Sequence, residues 1–135
     1  MGESMFRVMA ALSFHPARKL KWQALADLET QTRQRYLDYV ADKPDLERPT
    51  PSPLIGWVYG VLFALLPWKI AMRALVNATD DFLEVFNRLY SHASRDDLGF
   101  FQYVVAHEQA IKAFATLEVE GESSLSLQPV LDLLP

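Results

Sequence analysis

Proline sets the first limit on how this 135-residue chain can fold. Four of its eight prolines, Pro44, Pro49, Pro51 and Pro53, fall within residues 43–53. Proline fixes φ, lacks an amide donor and disfavours a helical conformation in the residue before it. This segment is therefore predicted to be an extended connection, with the regular structure on either side of it.

The apolar pattern on both sides is helical. Apolar residues recur at intervals of three and four, and no segment shows a sustained alternation with period two. The sequence therefore predicts an all-α fold, one helical-bundle domain over residues 1–135. The predicted elements are long helices at about 17–42, 67–93 and 97–120, a short apolar helix at 54–66 and a tail at 122–135. Ser13 with Pro16 offers a start for the first long helix, and Gly121 can end the last one.

Composition removes several classes of function. The absence of cysteine excludes disulfide scaffolds, thiolate metal sites and thiol catalysis. The net charge of −4 argues against a nucleic-acid partner, because such proteins usually carry a basic face. No glycine-rich phosphate-binding motif occurs. We expect a cytoplasmic protein, either free or at a membrane periphery, that forms homo-oligomers such as a homodimer.

Two of the predicted helices place ionisable residues on their apolar stripes. The stripe of the last helix is Phe100, Phe101, Val104, His107, Glu108, Ile111, Phe114, Ala115 and Glu118. The stripe of the first long helix is Trp22, Leu25, Leu28, Glu29, Thr32, Tyr36, Tyr39 and Val40. The stripe of the third helix has no acid and is formed by Trp68, Ala71, Leu75, Ala78, Phe82, Val85, Phe86 and Leu89.

A buried carboxylate has to be paired, protonated or bound to a cation. Glu29 and the pair His107 and Glu108 lie near the midpoints of their helices, where bundle helices tend to share a layer. Two carboxylates and an imidazole in one layer would suit iron, manganese or zinc. Glu118 lies about 15 Å further along the helix axis, so it is expected at the end of the bundle.

The segments Leu28-Glu29-x-x-Thr32 and 103–110 (YVVAHEQA) resemble the ferritin-like superfamily, especially small rubrerythrin-like proteins. Residues 64–72 (ALLPWKIAM) are similar to the second-helix region of demethoxyubiquinone hydroxylases. The resemblance implies an up-down four-helix bundle with iron at its centre and, if the protein is an enzyme, a di-iron-type oxidoreductase. No acid in the chain is followed by histidine three residues later, which such a site requires.

Three interpretations stay open from the sequence. In the first, Glu29, His107 and Glu108 form either a mononuclear metal site or a half site, and a homodimer could complete it. In the second, these residues form a hydrogen-bonded core network without metal. In the third, the protein is a binding module that contacts a membrane surface, a lipid-like ligand or a partner protein through residues 54–68. An interfacial aromatic belt would then be formed by Trp57, Tyr59, Phe63 and Trp68.

Overall fold

The computed structural model describes residues 2–46 and 53–135. Within these ranges the chain is helical and contains no strand, which confirms the all-α prediction. The helices are α1 (Gly2–Leu12), α2 (Pro16–Val40), α3 (Pro53–Ala64), α4 (Trp68–Ser91), α5 (Leu98–Glu120) and α6 (Gln128–Leu131). The predicted connection at 43–53 lies mostly outside the described residues.

The chain divides into two compact units, Met1–Pro67 and Trp68–Pro135. In the first unit α1 packs against both α2 and α3. The rings of Phe6 and Trp22 stack between α1 and α2 with their centroids 5.7 Å apart. Leu25 and Leu28 are fully buried in α2. The prediction of a single domain over the whole chain stays a prediction.

The second unit is a helical hairpin of α4 and α5, followed by the short α6. Gly121 ends α5 with a φ of 89°, a left-handed conformation that glycine adopts without a steric penalty. Gly121 and Glu122 then donate their amides to the carbonyls of Glu118 and Leu117. These bonds confirm the helix stop predicted at Gly121, and they turn the tail back towards Val130, which is completely buried.

Two short helices and one cap differ from what the sequence indicated. Helix α1 was not predicted, although its buried residues Phe6, Met9 and Ala10 have helical spacing. Helix α6 was not predicted within the tail. Helix α2 begins after His15, which is exposed and makes no side-chain cap. The helix does start at Pro16 as predicted, but Ser13 does not cap it, because the Ser13 hydroxyl donates to the His15 carbonyl at 3.4 Å.

The apolar stripe predicted for the third helix is only half buried. Ala71 and Leu75 are buried in α4, together with Met72 and Thr79. Further along the same helix the stripe is exposed at Phe82, Val85 and Leu89. Periodicity identified the face correctly, but it did not show where along the helix packing ends.

Candidate functional site

His107 and Glu108 are the predicted metal ligands that the structure places in one unit. His107 lies in the middle of α5 with only 2% of its surface exposed, and Glu108 is half-buried beside it. His107 Nε2 is 3.7 Å from Glu108 Oε1, and the Tyr103 ring centroid lies 6.4 Å from that of the imidazole. The expectation that His107 faces inward from α5 is therefore confirmed.

Glu29 lies in the other unit, and its surroundings there suggest a local role. A Cβ placed on Gly2 would be only 2.5 Å from Glu29 Oε2, so the carboxylate rests directly against the first residue of α1. The N-terminus of a helix carries a partial positive charge that favours a neighbouring carboxylate. The start of α1 therefore offers a favourable electrostatic environment for the half-buried carboxylate of Glu29 on α2.

A complete metal-binding set is not assembled among the described residues. Residues 2–46 and 53–135 contain no group of three or more histidine, aspartate or glutamate side chains placed to hold an ion. The ferritin-like di-iron site needs six such ligands, two of them histidines. His107 and Glu108 supply two adjacent donors within their unit, and the di-iron donor set does not fit that unit alone.

Glu118, at the end of α5, is a buried acid that accepts hydrogen bonds from three side chains. Trp68 Nε1 donates to its Oε2 at 2.7 Å, and the hydroxyl of Ser126 donates to its Oε1 at 2.5 Å. Ser123 donates to both carboxylate oxygens, at 3.1 and 3.3 Å. Glu118 thus joins the start of α4 and the tail to the end of α5. The sequence placed Glu118 at the end of the bundle, but it did not identify these partners.

Helix α3 turns its glycines inward and its large side chains outward. Gly56 and Gly60 are buried. A Cβ at Gly60 would lie 2.8 Å from both the Met5 carbonyl oxygen and Val8 Cβ, which shows how closely α3 approaches α1. The exposed residues on α3 and the turn after it are Leu54, Ile55, Trp57, Val58, Tyr59, Leu62, Leu65 and Leu66. No residue between 54 and 66 carries a charge.

On the exposed face of α3, formed by these side chains, aromatic residues lie at the edges and aliphatic residues at the centre. At about 100° per residue, the exposed side chains within the helix span an arc of roughly 200° opposite the glycines. Trp57 and Tyr59 occupy the two edges of this arc, with 55% and 47% of their surfaces exposed. The centre holds only aliphatic side chains, including Leu54 and Val58. Trp68, which the sequence grouped with the aromatic belt, instead donates to Glu118.

Among the residues described, no helix is both long and apolar enough to span a bilayer. Comparison with protein-family models, curated proteins and solved structures gives no match to this chain. The fold and the two local arrangements therefore define an all-α protein with an outward-facing apolar helix and a tail fixed through a buried carboxylate. The ferritin-like resemblance stays a prediction from the sequence.

Proposed function

We propose that this protein is a helical binding module that attaches to membrane surfaces through the exposed face of α3. One observation carries the proposal: eight large apolar side chains over residues 54–66 face solvent without an intervening charge. Large contiguous apolar patches on soluble proteins generally mark sites of interaction. At 12 residues α3 is about 18 Å long, which suits a helix lying in the plane of the interface.

The distribution of side chains across the face favours a bilayer over a protein partner. Trp57 and Tyr59 sit at the edges, where an indole N–H and a phenol hydroxyl can reach headgroups and water while the rings remain in the apolar layer. In protein interfaces, aromatic anchors tend to cluster at the buried centre instead. The exposed part of the α4 stripe, formed by Phe82, Val85 and Leu89, lacks this organisation because it contains no tryptophan or tyrosine at its edges.

The direct test is co-sedimentation of the full chain with phosphatidylcholine vesicles. Leu54→Gln combined with Leu62→Gln removes the aliphatic centre of the face at two exposed positions. We expect about tenfold weaker vesicle binding for each leucine replaced, since burying a leucine side chain contributes about 1.5–3 kcal/mol. The matched control is Val85→Gln with Leu89→Gln, which changes two exposed apolar residues of α4 and should leave binding intact.

Tryptophan fluorescence gives a second readout on the same samples. Trp57 is largely exposed whereas Trp22 is buried, so vesicles should shift the emission of Trp57 to shorter wavelength. Trp57→Phe should abolish that shift. Failure of the parent protein to bind vesicles would refute the proposal. The proposal would also be refuted if the parent were a dimer that does not bind vesicles and the α3 variant were a monomer. The exposed face of α3 would then bind a second copy of the chain.

The second candidate function is iron binding in a ferritin-like up-down bundle, with manganese or zinc as alternative metals. A protein that binds iron in this way could act as an oxidoreductase. The burial of His107 beside Glu108 favours it. Elemental analysis with measurement of solution mass tests both the metal and completion of the site in a homodimer. Less than about a tenth of an equivalent after reconstitution would exclude it, given the affinity of such donors for these ions. Glu29→Gln should lower metal content if Glu29 is a ligand. If its role is local, metal content should stay the same and stability should fall by under about 1 kcal/mol, because the interaction of the carboxylate with the start of α1 is lost.

A further inference from the structure

A second apolar surface lies where α1 meets α2, and its interpretation rests on the function proposed above. We call residues 12–20 the α1–α2 corner. Leu12, Phe14 and Leu20 are all exposed there, and Phe14 is fully exposed in the short link between the two helices. A phenylalanine without any cover at a helix–helix corner is costly in water, so this position suggests contact with an apolar phase.

The α1–α2 corner continues the surface on which α3 packs. Gly60 of α3 approaches α1 at Met5 and Val8. At about 100° per residue, Leu12 lies on the same face of α1 as these two residues, one turn beyond Val8. Leu12 is exposed where the α3 contact has ended. The chain then enters the link that carries Phe14.

The α1–α2 corner is basic, whereas the second unit is acidic. The α1–α2 corner itself holds Arg18 and Lys19 and no acid, whereas the nearby Lys21 is buried and Arg7 is paired with Glu3. Trp68–Pro135, by contrast, holds five basic and ten acidic residues. Lys19 is exposed and lies between Phe14 and Leu20 in sequence. The α1–α2 corner therefore combines apolar side chains with positive charge in a protein that is acidic as a whole.

We propose that the α1–α2 corner is a second membrane contact that makes binding selective for anionic phospholipid. Phe14 and Leu20 enter the headgroup region, and Lys19 interacts with the negative charge of the lipids. A basic residue close to an anionic surface strengthens binding about fivefold, an effect that falls off within a Debye length.

The test compares neutral phosphatidylcholine vesicles with vesicles that contain roughly one third phosphatidylserine. The parent protein should bind the anionic vesicles more tightly, and added salt should weaken this preference. Lys19→Gln should lose about fivefold on anionic vesicles and nothing on neutral ones, while Lys19→Arg should retain the preference. Phe14→Ser should weaken binding to both. Arg95→Gln, at an exposed position outside the corner, is the matched control.

The outcomes separate this proposal from the one on which it rests. Equal binding of the parent to both kinds of vesicle would refute anionic selectivity and leave the α3 contact standing. Equal effects of Lys19→Gln and Arg95→Gln would refute the role of the α1–α2 corner. A parent protein that binds neither kind of vesicle would overturn both proposals.

Discussion

The contact between α3 and α1 depends on Gly60, and replacing it with alanine tests the packing of the first unit directly. The new Cβ would lie 2.8 Å from the Met5 carbonyl oxygen and 2.8 Å from Val8 Cβ. Real Cβ atoms essentially never approach other heavy atoms this closely. Neither neighbour can rotate away, since one is backbone and the other is the first atom of a side chain. Helix α3 must therefore move outward, or α1 must bend.

The expected cost follows from two opposing effects. Overpacking a closely packed contact costs about 1–3 kcal/mol. Alanine regains up to about 1 kcal/mol over glycine through its higher helix propensity. Gly60→Ala should therefore destabilise the protein by about 1–2 kcal/mol. Gly99 in the first turn of α5 is the internal control, because a Cβ there meets nothing within 4 Å. Gly99→Ala should be neutral or stabilise the protein by a few tenths of a kcal/mol to about 1 kcal/mol.

Urea denaturation followed by circular dichroism measures both variants against the parent. The difference between Gly60→Ala and Gly99→Ala isolates the steric contact, because both substitutions add one methyl group to a helix. A Gly60→Ala protein as stable as Gly99→Ala would refute the close approach of α3 to α1. The outward orientation of the apolar face would then lose its structural basis.

Two further predictions concern the buried and paired acids. Glu118→Gln replaces one acceptor oxygen with a donor and should lower the free energy of unfolding in urea by about 1–3 kcal/mol. The control Glu120→Gln, at an exposed position, should stay within about 0.5 kcal/mol of the parent. Equal effects of the two substitutions would contradict the hydrogen bonds seen at Glu118. Partial burial opposes ionisation of Glu3, but hydrogen bonds with Thr30 and Arg7 and the charges of Arg33 and Arg7 outweigh it and lower its pKa. Its contribution to stability is therefore complete above the unfolded pKa of about 4.3 and is lost as the pH falls through the lower folded value. The free energy of unfolding should therefore fall less on acidification in Glu3→Gln than in the parent. The difference should be under about 1 kcal/mol, because both arginines are exposed. An unchanged pH profile would contradict the pairing.

Periodicity along the sequence was sufficient to locate the three long helices and the inward face of α5. His107 and Glu118 were placed on that face, and both are buried. The partners of Glu118 could not be predicted, because Trp68 lies 50 residues away in sequence and the two serines follow the turn at Gly121. Which donors meet a buried carboxylate depends on how α4 and the tail fold back onto α5. That is a property of tertiary packing and leaves no periodic signal.

Helix α3 shows a different limit of sequence reasoning. An apolar stretch of this length is typical both of a buried helix and of a helix at a membrane interface, and periodicity alone does not distinguish them. The structure distinguishes the faces, because Gly56 and Gly60 are both buried and Gly60 approaches α1 so closely that even a Cβ would clash. Two glycines four residues apart were a weak signal in isolation. The role of Gly60 depends on its contact with α1, a helix that was not predicted from the sequence.

The use of glycine at this contact also bears on function. Burying large side chains against α1 would stabilise the unit more, at about 25 cal/mol for each Å² of apolar surface removed from water. The unit instead packs α3 through its smallest residues and leaves Leu54, Trp57 and Leu62 exposed. Such an arrangement lowers the stability that the helix can contribute in solution, but it keeps the apolar face available for another apolar phase. The same physical reasoning applies to Phe14, whose exposure has no role in packing within the first unit. Both features are explained together if the first unit is completed by a lipid surface.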